Sequence, residues 1–564
     1  MIREFAHEPR IAYFSMEVAL CNDIPTYSGG LGVLAGDTVR SAADLELPLV
    51  AVTLVSREGY FRQQIDAEGN QLESPDPWQP EHRAAMLDAK IALTIEGRTV
   101  WVGGWLYVLK GHMNGRQPVI LLDTDLADNC EEDRAITRNL YGGDNRYRLN
   151  QEIVLGIGGT RMLQALGFEV RQYHMNEGHS AFLALELLQR FAFPGEDMRP
   201  GESPYDIPRV RELCIFTTHT PVEAGHDRFP YDLWEQVEDG FIDLATLKRI
   251  AGDDHLNMTR LALNLSEHVN GVAKRHAEIS RKMFPGYRVQ AVTNGVHPHA
   301  WTAPSFSRLY DIHLAGWCHE PELLRRADCC IPDEAIWQAH CEAKKHLLGK
   351  VATLTGTTLD PELPTFGFAR RMTAYKRPDL LFSDLERLRS LAGQQPFQLV
   401  LAGKAHPQDA GGKQLIKTLH DQLRALKGVI NMAYLPNYDM EIALAMVAGV
   451  DVWLNTPLRP LEASGTSGMK AAFNGVPSLS VLDGWWIEGC IEGITGWAIG
   501  DSTDGDDSHD AGALYDKLST VVLPLYFQDR AAWIRVMKGA ISKNASFFNS
   551  HRMMRRYAVE AYIR

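Results

Sequence analysis

Leu461-Glu462-Ala463-Ser464-Gly465-Thr466-Ser467-Gly468-Met469-Lys470-Ala471-Ala472-Phe473-Asn474-Gly475 sets a run of small residues immediately before a lysine and an apolar helical stretch. Gly465, Thr466, Ser467 and Gly468 bring small side chains and free backbone N–H groups to a helix start, where an anion can rest against the positive end of the dipole. Gly475 reads as the helix C′ residue. Lys470 falls in the first or second turn, placing its amine near the far end of a ligand whose phosphate sits on the loop. That arrangement suits pyridoxal phosphate, held by a Schiff base and a phosphate site. A glycine-rich turn before an ordinary amphipathic helix accounts for the same residues, so the decision passes to the remaining chain.

At 564 residues the chain exceeds a single core, and its length predicts two to four domains. The balance of 57 basic against 71 acidic residues, a net charge of -14, argues against general affinity for nucleic acid or anionic membranes and leaves room for a local anion site. Eight scattered cysteines without a C-x-x-C pair indicate neither a disulfide framework nor a zinc cluster, and no metal is expected. Met1 to Pro9 carries acids and a proline where a signal peptide needs an apolar run, and no long uncharged apolar segment follows. A cytoplasmic protein without membrane contact is expected.

Ile11 to Phe14 reads as a strand, followed by Tyr27-Ser28-Gly29-Gly30-Leu31-Gly32-Val33-Leu34-Ala35-Gly36-Asp37, a second anion-cradle candidate opening a helix. Its glycines permit positive φ and close backbone approach, and tight packing explains them too. Strand-like runs recur at Leu49 to Val55, Val119 to Leu122, Val170 to His174, Leu213 to Thr218 and Val289 to Val292, mostly separated by helical stretches. This alternation predicts a largely parallel sheet with helices on both faces and chemistry at the strands' carboxyl ends. Met175-Asn176-Glu177-Gly178-His179 and Thr218-His219-Thr220-Pro221 lie at such ends. Phe193 through Pro204 reads as a surface loop.

After Asn294-Gly295-Val296-His297-Pro298-His299-Ala300-Trp301 the pattern becomes helical through about Thr355, a bridge to a second domain. Strands then resume at Thr365 to Ala369, Gln398 to Ala402, Val429 to Tyr434, Val452 to Asn455 and Ser478 to Leu482, with a helix predicted over Asp379 to Leu391. The acidic stretch Asp501 to Asp510 lacks calcium-loop spacing and reads as a solvated turn. The tail from Trp533 to Arg564 is helical, with a basic patch at Arg552, Arg555 and Arg556. The expected architecture is α/β, two doubly wound Rossmann-like domains facing a central cleft. We assign 1–302 to the first and 303–532 to the second, and return the helices from about 533–564 to the first.

Ala369-Arg370-Arg371-Met372-Thr373-Ala374-Tyr375-Lys376-Arg377 concentrates cations at a strand end, where either solvent or an anionic partner must receive them. Together with Gly29-Gly30-Leu31-Gly32, His219, Asn294 through Trp301 and Glu462 through Lys470, the ordered motifs resemble the α-glucan (glycogen, starch and maltodextrin) phosphorylases, from about Tyr13 to about Trp497. The resemblance implies the GT-B type of glycosyltransferase fold and reversible phosphorolysis of terminal α-1,4-linked glucose, yielding glucose 1-phosphate with retained configuration. It implies that Lys470 carries pyridoxal 5′-phosphate, that Arg370, Thr466 and the backbone around Gly465, Ser467 and Gly468 hold its phosphate, and that this phosphate relays the proton. Arg371 and Lys376, helped by Gly29, Gly30 and Leu31, match the inorganic-phosphate site. His219, Glu462 and Asn294 match residues that position the glucosyl unit, and Tyr13, Tyr438 and Trp301 match packing around the cofactor or phosphate. Several fixed cations are needed because two phosphate dianions at contact repel strongly.

The chain departs from the longer, regulated phosphorylases. It reads Gly-Thr-Ser-Gly-Met-Lys where they read Gly-Thr-Gly-Asn-Met-Lys, after Arg459-Pro460 as in the short prokaryotic type. Asn176-Glu177-Gly178-His179 stands where they have Asn-Asp-Thr-His. The chain begins almost at the first strand, so neither N-terminal phosphorylation nor nucleotide control is expected, and a homodimer is expected by analogy. Two rivals share the fold: a nucleotide-sugar-dependent glucan synthase, which needs no lysine at 470, and a non-catalytic glucan-binding protein, which needs no intact Arg371, Lys376, His219 and Lys470.

Overall fold

The computed structural model describes residues 2–8, 10–194, 203–222, 225–238, 240–501 and 506–563. Two sheets organise the chain. In the first, ten-stranded sheet, parallel strands run in the spatial order Arg116–Asp123, Leu49–Leu54, Arg10–Ser15, Val170–Asn176, Cys214–Thr217, His268–Gly271 and Gln290–Ala291. In the second, six-stranded sheet the order is Asn431–Leu435, Gln398–Ala402, Thr365–Ala369, Val452–Asn455, Ser478–Val481 and Gly496–Ile499, all parallel. Leu49–Leu54 and Gln398–Ala402 are buried at every position, as strands with both faces covered require, and so appear in the sequence as unbroken runs.

In each sheet the chain starts at an inner strand, winds outward, then returns to the other side. The reversal falls between Arg10–Ser15 and Val170–Asn176, paired Tyr13 to His174 and Ser15 to Asn176, and between Thr365–Ala369 and Val452–Asn455, paired Phe366 to Val452. Loops leaving adjacent carboxyl ends there part in opposite directions and leave a crevice. Those loops carry Glu17 to Leu31, Glu177 to His179, Arg370 to Lys376 and Glu462 to Lys470.

Several local expectations change. The first sheet gains an antiparallel extension, Arg98–Lys110 beside Arg116–Asp123, with Ala85–Met86 and Ile91–Ile95 on its far side. A hairpin of Arg62–Ile65 and Gln71–Ser74 reaches the second half, where Gln63 and Asn437 exchange bonds (backbone N–H to side-chain oxygen, 3.1 and 2.9 Å) and Gln71 bonds both ways with the Ala405 backbone. The helix expected over Asp379 to Leu391 begins later, at Leu385–Gln394, because Asp384 caps it by accepting from Arg387 N–H; a 3-10 turn, Leu380–Phe382, precedes it. Asp510 is not on a solvated turn: it is fully buried between Arg377 and Arg459 (2.6 and 2.7 Å). Residues 502–505 of that stretch, and 195–202 of the expected surface loop, lie outside the described residues.

The C-terminal helices divide between the halves. Trp533 through Phe548 pack with the core of the second sheet, whereas Met553 through Tyr562 pack on the first, against Tyr13, Val39 and Ile215. Among the described residues no helix is long and apolar enough to cross a membrane.

Candidate active site

The crevices at the two reversals open into one cleft of about 760 Å³, within the size range of small-molecule sites. On the second half, Gly465 takes a left-handed conformation (φ 71°) that favours glycine, and the helix Ser467–Ala472 starts two residues later with Lys470 in its first turn. Gly475 closes it as expected: φ is 66°, with Val476 N–H on the Ala471 carbonyl and Gly475 N–H on that of Ala472. Gly468 does not face the cleft as a cradle residue. A Cβ there would lie 2.7 Å from the Trp485 ring and 2.8 Å from Ser478 Oγ, so its role is close packing on the sheet.

Lys470 is 7% exposed, its Nζ 3.8 Å from the centre of the Trp301 ring. Burial lowers its amine to about 8, and the Asp37 carboxylate resists that fall. Asp37 also fixes the ring, accepting from Trp301 Nε1 at 2.8 Å.

The cationic strand end separates into two roles. Arg377 is structural, donating to Asp507, Asp510 and two backbone carbonyls. Arg370, Arg371 and Lys376 line the cleft. Arg370 donates to Glu462 Oε2 at 2.6 Å and to Asn455, and Lys376 donates to the same Glu462 oxygen. Burial would raise the Glu462 carboxyl, but Arg370 and Lys376 hold it below the ordinary carboxylate range. Arg371 makes no hydrogen bond or ion pair with a described residue and remains exposed to the cleft.

Opposite Arg371 stands the glycine loop. A Cβ on Gly29 would sit 3.2 Å from an Arg371 guanidinium nitrogen, and one on Gly36 only 2.1 Å from the Ala19 carbonyl oxygen. Close approach is therefore what these glycines provide; positive φ is not, since Gly29 is extended (φ −166°). The N–H of Gly29 is already committed, donating to Glu17 Oε2 at 3.1 Å beside the Ser28 hydroxyl. Gly30 and Leu31, opening the helix Gly30–Asp44, remain on the cleft wall.

On the same half, His219 Nε2 meets Asn176 Oδ1 at 2.7 Å and its backbone N–H donates to Glu177 Oε2. Burial lowers its imidazole to about 4, so the ring is neutral and its Nε2 proton points at Asn176. Asn294 is buried, its Oδ1 without a hydrogen-bond partner among the described residues, and it lines the cleft, as do Tyr438 and Trp301. Tyr13 does not: its ring is buried edge-on to His174, 5.1 Å between centroids, in the core behind the site.

The cleft also holds residues not anticipated individually. Asp227 pairs with Arg148 at 2.7 Å and with His179 Nε2 at 3.2 Å, and Glu17 and Tyr141 flank them. His179 and Glu177 carried a signal, the polar segment after a strand; Arg148 and Asp227 had none. Behind the site, Asp44, His297 and His551 offer a donor set usable by a metal. Hydrogen bonds commit one of its histidines. Ala300 N–H donates to His297 Nδ1, so the proton is on Nε2 and goes to Asp44 Oδ2 at 2.9 Å; His551 Nδ1 lies 3.3 Å from the His319 carbonyl and its Nε2 lies 3.4 Å from the same Asp44 oxygen.

A sequence profile of the carbohydrate phosphorylase family matches residues 174–493. The chain is 37% identical to a maltodextrin phosphorylase of Thermococcus litoralis, over 98% of this chain and 70% of that protein. It is 35% identical to a glycogen phosphorylase of Aquifex aeolicus, over 99% and 87% respectively. An uncharacterized protein of Methanocaldococcus jannaschii is 31% identical over 98% of this chain and 99% of its own length.

Proposed function

This chain belongs to the carbohydrate phosphorylase family, and from that premise we propose that its cleft performs reversible phosphorolysis of the terminal α-1,4 bond of an α-glucan such as glycogen, starch or maltodextrin. It is a glycosyltransferase of the α-glucan phosphorylase type. The observation that carries the residue-level reading is that Arg370, Arg371 and Lys376 line one cleft together with a buried lysine amine, with Arg371 uncommitted among the described residues.

Those residues fit pyridoxal phosphate. Lys470 has an amine lowered to about 8 against an aromatic face, and beside it stand the left-handed Gly465, Arg370 and a buried Ser464 hydroxyl without a hydrogen-bond partner among the described residues. Lys470 would hold the aldehyde end, with Arg370, Thr466 and the backbone at Gly465 and Ser467 holding the phosphate. Bound there, the group supplies a phosphate able to share a proton with the substrate phosphate.

Arg371 and the first N–H groups of the helix Gly30–Asp44 bind inorganic phosphate, and Lys376 offsets the remaining charge. His219 and Asn294 bond hydroxyls of the terminal glucose, and Glu462 accepts from another while tied to Arg370. Inorganic phosphate gives its proton to the glycosidic oxygen as the C1–O bond breaks. One of its oxygens then bonds C1 on the face just vacated, so configuration is retained without a carboxylate nucleophile. The walls contributed by both halves limit water, which would otherwise compete for C1.

Incubating the purified protein with maltoheptaose and phosphate, then measuring glucose 1-phosphate, tests this reading. Formation of glucose 1-phosphate is expected. Consumption of ADP-glucose without any phosphorolysis would replace it with the synthase reading.

A further inference from the structure

Arg552 stands on the C-terminal helix Ser550–Tyr557, whose Asn549 cap accepts from Arg552 N–H at 2.7 Å. Each nitrogen of its guanidinium is employed, and not by an acid. Nη1 donates to the Thr293 carbonyl at 2.7 Å, Nη2 to the Asn294 carbonyl at 2.9 Å and Nε to the Phe547 carbonyl at 2.9 Å, with the Phe547 ring 4.7 Å from the guanidinium carbon. The planar fork thus grips two successive peptide oxygens through two nitrogens in a fixed geometry, where a lysine would offer one flexible point charge.

The gripped segment is the one that presents Asn294. The backbone N–H of Asn294 donates to the Val272 carbonyl at 3.0 Å, while Gly295 presses on the Asn549–Ser550 peptide so closely that a Cβ would lie 2.2 Å from Asn549 atoms. Val296 N–H donates to Phe548, and Ser550 N–H returns a bond to Val296. The main chain of the segment is thus held from several sides, while the Asn294 side chain lines the cleft with an oxygen that is buried and has no hydrogen-bond partner among the described residues.

We propose that Arg552 is a positioning residue of the reaction: from outside the cleft it sets the orientation of the Asn294 carboxamide toward the glucosyl unit. The proposal rests on the phosphorylase reading of Asn294. Arg555 and Arg556 of the same basic patch do not share the role, since they pair with Glu322 and Glu560.

The test is a double-mutant cycle on the cofactor-loaded enzyme with Arg552→Met, Asn294→Ala and both together, measuring KM for glucose 1-phosphate in synthesis, KM for phosphate in phosphorolysis, and kcat. Arg552→Met should raise KM for glucose 1-phosphate about tenfold while KM for phosphate changes less than about twofold, and should add almost nothing once Asn294 is Ala. Arg552→Lys, which keeps the charge without the fork, guards against misfolding and should fall between wild type and Arg552→Met. Additive effects of the two substitutions, or equal rises in both KM values, would overturn the role of Arg552 while phosphorolysis by the wild type stood. Absence of phosphorolysis from the wild type would instead overturn the reading on which the proposal rests.

Discussion

Replacing Glu462 by Gln should move two properties of the cleft in opposite directions. Its Oε2 lies 2.6 Å from Arg370 Nη2 and also receives Lys376, and all three side chains are less than one tenth exposed. Gln keeps the shape and an acceptor but removes the negative charge that partly neutralises the cations. At an effective dielectric constant of about 20, a carboxylate about 8 Å from a bound anion repels it by about 2 kcal/mol; with cleft water screening some of this, phosphate should bind about tenfold more tightly. Turnover should fall about 100-fold, since the charged acceptor for a glucosyl hydroxyl is lost, about 3 kcal/mol at the transition state. Without added anion the variant should also melt lower, because two buried cations lose their shared partner. Phosphate should recover part of that loss. Calorimetric titration with phosphate, steady-state kinetics and melting with and without phosphate read the three effects. Phosphate binding that weakens alongside kcat would refute the electrostatic argument and mark Glu462 as a scaffold residue.

With its amine lowered to about 8, Lys470 should be about one tenth neutral at pH 7, where an ordinary lysine is about one part in three thousand; cyanate labelling of cofactor-free protein, read by peptide mass, should show a midpoint near pH 8, and one above pH 10 would contradict the burial argument. Arg371→Ala should weaken phosphate and glucose 1-phosphate about 100-fold and maltoheptaose less than about threefold, and equal losses for all three would move the phosphate site elsewhere. His174, with Tyr562 and Thr217 on its two ring nitrogens and burial lowering it to about 3, should make the fold acid-sensitive. The unfolded chain takes up that proton below about pH 6.5 while the folded ring does not, so stability is complete above 6.5 and falls by about 1.4 kcal/mol per pH unit, about 3 kcal/mol by pH 4. His174→Gln should flatten the acid side of a melting-temperature profile, and an unchanged slope would assign the sensitivity to other groups.

Within the second sheet Thr365–Ala369, Gln398–Ala402 and Val452–Asn455 fall where their runs predict, because strands buried on both faces are mostly apolar, whereas the edge strand Gly496–Ile499 was not legible. Nor was the hairpin at Arg62–Ile65, since Arg62-Gln63-Gln64 shows no apolar alternation and Gln63 spends its side chain on the Gly403 carbonyl and the Asn437 N–H of the other half. His268–Gly271 was hidden because its buried face carries a polar network, with Asn270 bonded to the Tyr557 hydroxyl. At the site, motifs that needed glycine or clustered charge announced themselves. Arg148 and Asp227, distant in sequence, share a meaning only once folded. Gly468 and Tyr13 misled for a common reason: small or aromatic residues inside a functional motif can serve the scaffold behind it.

The bridge between Val296 and Asn549 has a mechanical consequence. The chain leaves the first half near Val296 and comes back to it near Asn549, and the two passages lie side by side, bonded through Phe548 and Ser550. Two passages paired in this way resist twisting and shearing, so the crossings act as a single tie between the halves rather than as two separate linkers. Asn294 sits next to that tie, and a sugar bonded to it would be anchored where the two walls of the cleft are joined.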